Sequence, residues 1–258
     1  MTRRRAMGLL AAGAALFVSA CGVDPDKMAF IWNAPYHAKL KVEVETPQGV
    51  RSGSSVIEVK WDKAGKGFNV RGEAVAVDLP EGQTLFVLLT QPYNEDWPAY
   101  LHENVTLTDQ PKRWSDYVDG DGTSADQQEE RSEYYVRIAA DRTVWPVKRR
   151  HKWGVDENVD NYPYVVRFRD INDPKSVEQV DPDHLEKALG KGFKLKALTV
   201  QMVDEPVTVG IEKRLAWLVS NRLEFFDETR DPKSGMLEPP KERTIAHHLN
   251  DGSFLRKQ

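Results

Sequence analysis

The chain has 258 residues, with 40 acidic against 36 basic side chains, a formal charge of −4 and 40% hydrophobic residues. That acidity argues against a protein that grips nucleic acid by bulk charge. The length and apolar content suffice for one large or two small packed cores. The single cysteine, Cys21, excludes an internal disulfide.

At the N-terminus, Arg3, Arg4 and Arg5 precede an apolar run over residues 6–18 and the small pair Ser19-Ala20. This is the order of a secretory signal. At about 1.5 Å per residue the run covers roughly 20 Å of a hydrocarbon layer about 30 Å thick, which is short for a permanent span. The motif Val18-Ser19-Ala20-Cys21 resembles the lipobox of bacterial lipoproteins, an apolar residue and two small ones before a cysteine. The resemblance implies removal of residues 1–20, acylation of Cys21 and anchorage to a membrane by lipid. With Gly22 after the cysteine in place of aspartate, it further implies the periplasmic face of the outer membrane. One acyl chain binds marginally, at about 0.8 kcal/mol per buried methylene, whereas the two or three chains so implied hold firmly. Cleavage removes three of the 36 basic residues and no acidic one, leaving 33 against 40 and a formal charge of −7.

Residues 21–35 read as a lipidated tether; from residue 23 to 35 no period is visible, and the reach is at most roughly 45 Å. From residue 36 the pattern has a period of two: Leu40, Val42 and Val44 alternate with Lys39, Lys41, Glu43 and Glu45. This predicts a strand with one wet face. After the turn Thr46-Pro47-Gln48-Gly49, Ile57, Val59 and Trp61 alternate with Glu58, Lys60 and Asp62, predicting an antiparallel hairpin. Phe68 and Val70 continue into Val75, Val77 and Leu79 after a phase shift that a bulge at Gly72 would supply. The unbroken run Leu85-Phe86-Val87-Leu88-Leu89 predicts a strand covered on both faces. Residues 36–90 therefore read as a four-stranded meander.

Residues 90–122 carry no clean period. Ser124 and Gln127 have capping-box spacing, and Tyr134, Tyr135 and Ile138 share one side of a helix predicted to run to about residue 140. Residues 141–161 read as a polar connection, and Tyr162, Tyr164, Val166 and Phe168 as a strand. Asp181 as N-cap, Pro182 at the first helical position, the stripe Leu185, Ala188, Leu189 and the terminator Gly190 predict a short helix. Leu198, Val200 and Met202 alternate, Asp204-Glu205-Pro206 turns, and Val207, Val209 and Ile211 alternate back as a second hairpin within the β-rich stretch 160–219. Ile211, Leu215 and Leu218 have helical spacing. Residues 231–258 turn polar and read as a loosely ordered tail.

The segments Pro163-Tyr164-Val165-Val166-Arg167-Phe168, Asp173-Pro174-Lys175-Ser176-Val177, Val180-Asp181-Pro182 and Asp204-Glu205-Pro206-Val207-Thr208 resemble an uncharacterised group of proteobacterial exported proteins. The resemblance covers the second half of the chain and implies no activity. The expected fold is α+β, mostly antiparallel β-sheet with a few short helices, in one domain over residues 36–230.

Two constellations carry chemistry. Lys148, Arg149, Arg150 and Lys152, flanked by Trp145 and Trp153, form a basic cluster in an acidic chain. It reads either as a contact for anionic lipid headgroups or a partner's carboxylates, or as a solvated loop offsetting neighbouring acids. Asp119, Asp121, Thr123 and Glu130 fall at positions 1, 3, 5 and 12 of an EF-hand-like loop, but its sixth position, which needs glycine, is Ser124. An acidic surface loop without metal is the expectation, and no cofactor is implied. The six histidines lack zinc spacing, and Gly-x-Ser-x-Gly, a Walker loop and Gly-x-Gly-x-x-Gly are absent. The expected function is a lipid-anchored envelope module that binds or scaffolds another envelope protein or anionic lipid. Its alternative is a hydrolase-type enzyme whose site assembles only in three dimensions.

Overall fold

The structure, a computed structural model, describes residues 35–62, 67–91, 97–101, 142–153, 156–220, 233–234 and 245–256. Among these, twelve strands make a mostly antiparallel β-fold with two short α-helices and single turns of 3-10 helix. No helix among them is long and apolar enough to cross a membrane.

The first sheet is built on β1 (Tyr36–Thr46), whose alternation buries Ala38, Leu40, Val42 and Val44 and turns the charged residues outward. β1 pairs on one side with β2 (Gly49–Asp62), as the hairpin pattern predicts, and on the other with β11 (Lys194–Val203). β3 (Gly67–Glu73) pairs with β2, and the edges are β6 (Trp145–Pro146) and β12 (Leu255–Arg256). The order is thus β12-β3-β2-β1-β11-β6. The second sheet, β10-β9-β5-β4, contains β4 (Val75–Asp78), β5 (Thr84–Val87), β9 (Val165–Phe168) and β10 (Val177–Gln179). Strands from both β-rich halves of the sequence therefore interleave in each sheet.

The predicted four-stranded meander is corrected at Gly72: the chain does not bulge and continue but leaves the first sheet after Glu73 and enters the second at Val75. Gly72 has φ 144°, and a Cβ there would lie 2.9 Å from Ile57 Cγ2, so the corner requires glycine. The phase shift in the sequence is the signature of this change of sheet. Further along β2, a Cβ on Gly53 would come within 2.1 Å of the Ala76 carbonyl oxygen, so the sheets approach backbone to backbone.

β5 contributes to both cores, as does β9 through Val165 and Val166. Leu85, Val87 and Leu89 point to the space between the sheets with Leu40, Val42, Ile57, Val59 and Val200. Phe86 and Leu88 point the other way, where Val166, Ile211, Leu215, Leu218, Leu249 and Phe254 cover them. The five residues of the apolar run are all 0–1% exposed, as the unbroken pattern predicts.

Three other expectations need correction. The second hairpin does not form: β11 already has β1 and β6 on its two edges, so residues 207–211 have no edge to return to. They run beside β2 instead, where the Thr208 hydroxyl accepts from the Val56 N–H at 2.8 Å and the Val56 carbonyl accepts from the Thr208 N–H at 3.0 Å. The helix after Pro182 is shorter than its signals: α1 (Leu185–Leu189) begins after His184, because Asp181 uses its side chain in a local turn with Asp183 and His184. Gly190 ends it at φ 104°. Residues 141–161 are more than a connection, since they hold β6 and a hairpin of β7 (Arg150–Trp153) and β8 (Asp156–Asp160). The helix predicted from Ser124 lies outside the described residues.

The polar tail is likewise not loose throughout. Leu249 and Phe254 are 0% exposed, α2 (Asp251–Phe254) starts with a reciprocal Asn250/Ser253 cap, and the Phe254 carbonyl accepts from Ala74 N–H at 2.8 Å. Phe254 closes a ring cluster with Phe86, Phe168 and Trp217, whose centroids lie 5.6–6.0 Å apart, mostly edge to face. A few apolar residues among many polar ones hide this role from composition.

Glu73 stands at the corner between the sheets, 7% exposed, with its carboxylate accepting the Ile211 N–H at 2.8 Å. Burial raises its pKa, the N–H contact of Ile211 opposes, and the charge of Glu212 adds to the rise. Asp78 is shifted the opposite way by its two-pronged bond to Arg214.

Two measurements follow. Phe254→Ala should destabilise the fold by about 3–5 kcal/mol in urea unfolding, and Gly53→Ala by about 1–3 kcal/mol. In a pH titration of stability, Glu73 binds its proton more tightly folded than unfolded. Its contribution is therefore present below the ordinary glutamate value and is lost as pH rises through the raised folded value. Asp78 contributes above the ordinary aspartate value and fades as pH falls through its lowered one. Glu73→Gln should flatten the first region and leave the second unchanged.

Candidate functional site

Two grooves open beside the second sheet. The first, about 470 Å³, runs between the start of β9 and the turn at Asp181 and is lined by Arg149, Asp160, Tyr162, Tyr164, Asp181 and Asp183 among others. Its geometry follows from β8 delivering Asp160 at one wall and the Asp181 turn delivering Asp183 at the other, with Arg149 between them. The Arg149 guanidinium lies 3.0 Å from Asp160, 3.6 Å from Asp183 and 5.2 Å above the Tyr162 ring. Backbone adds a further link, because the Asn161 N–H donates to the Arg149 carbonyl at 2.9 Å.

The electrostatics are those of a tie. Burial raises the Tyr162 phenol, the negative charge of Asp183 adds to that, and Arg149 opposes. His184 bonds Asp181 at 2.8 Å and holds that carboxyl below its usual value. Tyrosine and proline walls with three aspartates suit a cation, and the chain supplies one in Arg149. Beneath, the Trp97 indole donates to the Asn161 carbonyl at 3.0 Å.

The second groove, about 680 Å³, lies where β5 and β9 diverge beyond the Phe86–Val166 pair. Arg167 and Arg169 border it and both reach Glu178, at 2.9 and 3.1 Å. One carboxylate thus answers two guanidinium groups.

Of the basic cluster, Arg149 turns into the first groove and is engaged with two acids, while Lys148 is exposed. Arg150, Lys152 and Trp153 lie on β7, paired with β8. Trp145 does not stand beside them as a surface aromatic: it is half-buried against the core between the sheets, on β6. The two tryptophans that flank the cluster in sequence lie on strands of different sheets. Cys21, Asp119, Asp121, Thr123 and Glu130 lie outside the described residues, among which no group of three metal-ligating side chains converges. The acids that meet Arg149 have no signature in the local sequence. Asp160 and Asp183 are 11 and 34 residues from it in sequence, and no local spacing links them.

If Arg149 ties the hairpin to the Asp181 turn, Arg149→Met should destabilise the domain by about 1 kcal/mol, through loss of the pair with the partly buried Asp160. A double-mutant cycle with Asp183→Asn should show coupling, and strict additivity would remove the tie.

Comparison of the chain with models of protein families, with curated proteins and with solved structures finds no match.

Proposed function

We propose that this chain is a lipid-anchored cell-envelope protein, exported, held by acyl groups on Cys21 at the periplasmic face of the outer membrane, whose folded part binds or scaffolds without catalysing a reaction. The observation that carries the reading is Val18-Ser19-Ala20-Cys21, set directly after an apolar run headed by three arginines. The polar side chains of both grooves also favour binding over chemistry. Arg149, Arg167 and Arg169 are each committed to a carboxylate within the fold.

The test is metabolic labelling. Wild-type protein grown with radioactive palmitate should carry label and sediment with membranes, and Cys21→Ser should carry none and keep residues 1–20 attached. Unlabelled, freely soluble wild-type protein would refute the proposal.

A further inference from the structure

We infer that the outer face of the first sheet is a surface that lies on anionic lipid headgroups, those of the membrane into which the anchor inserts. The inference rests on the proposed anchor and adds to it the side of the domain that meets the bilayer.

The face is defined by strand alternation. With Ala38, Leu40, Val42 and Val44 turned inward on β1, Lys39, Lys41, Glu43 and Glu45 turn outward. In register with them, β2 presents Glu58 and Lys60, β3 presents Arg71, and β11 presents Lys194 and, at the irregularity opposite Glu43, Lys196. Beyond Pro146 at the edge, Lys148 is exposed on the same side, since Trp145 and Val147 turn into the core. Against these seven basic residues stand four acids, Glu43, Glu45, Glu58 and the overhanging Glu205. Lys39 pairs with Glu205 at 2.9 Å, and Lys41 and Lys196 share Glu43 at 2.8 and 3.3 Å. Arg71 reaches Glu58 at 3.6 Å. Among the described residues the face thus carries about three more basic than acidic side chains, on a mature chain whose formal charge is −7.

Two features choose the occupant. The described chain begins at residue 35, directly before Tyr36, the first residue of β1, which is an inner strand of this face. The tether reaches at most roughly 45 Å, comparable with the length of β1, about 36 Å for 11 residues. The anchor therefore keeps this face within reach of the bilayer. The charge is complementary as well: lysines with long apolar stems suit a layer of anionic headgroups, and the acidic remainder of the chain is repelled by it. Among the described residues of these strands, Val50, beside the hairpin turn, is the large apolar side chain that is exposed, which suits adsorption and not insertion.

The experiment places the full lipidated protein in vesicles of phosphatidylcholine, with and without phosphatidylglycerol, and follows acetylation of each lysine by mass spectrometry. Lys41, Lys60, Lys194 and Lys196 should react about threefold or more slowly on anionic vesicles at low salt and recover at high salt. Lys187 on α1 and Lys213, on the layer beyond the second sheet, should not change. The double variant K41E/K196E should lose the slowing at Lys60 and Lys194. Equal rates on both vesicles, or slowing at Lys187 and Lys213 instead, would overturn the inference. Protein that fails to partition into phosphatidylcholine but shows the lysine footprint on anionic vesicles would remove the anchor and leave the face. Failure of both would remove both.

Discussion

The fold depends on β5 being buried on both sides. A strand that reads Leu-Phe-Val-Leu-Leu has no wet face, so a sheet on one side alone would leave Phe86 and Leu88 in water. Burial at about 25 cal/mol per Å2 makes such exposure expensive. The solution is three layers: the first sheet covers Leu85, Val87 and Leu89, and the segments 211–218 and 245–256 cover Phe86 and Leu88. Segments that look peripheral by composition become structural for this reason.

Several hydrogen bonds of the third layer converge on one corner. Glu73 receives the Ile211 N–H, Ala74 donates to Phe254, and Leu255 pairs with Glu73 as the edge of the first sheet. Gly72 allows the chain to turn there without a side chain striking Ile57. One corner thus joins the two sheets and receives both covering segments, and a buried carboxylate at it makes the assembly sensitive to pH.

Charge is distributed by the same geometry. On β9 and β10, and around the groove of Arg149, cations meet carboxylates from distant parts of the chain and are held within the fold. On the outer face of the first sheet, cross-strand neighbours leave lysine in excess. A basic cluster contiguous in sequence is therefore partly internal, whereas a basic face with no contiguous signature lies open.

By itself the sequence determined the period-two strands β1 and β2 with their turn, the two-sided burial of residues 85–89 and the α+β class, because each is a local pattern that burial on one or both faces imposes. It pointed to Gly72 and Gly190 as special positions, through a phase shift and a terminated apolar stripe. Tertiary structure alone decided that the chain changes sheet at Gly72, that residues 207–211 find no partner strand, that Phe254 is core, and that Arg149 meets Asp160 and Asp183. In each case the cause is long-range. Which strand edges are already taken, and which carboxylate folds back beside which guanidinium, depends on residues tens to hundreds of positions apart, and a local period carries no record of them.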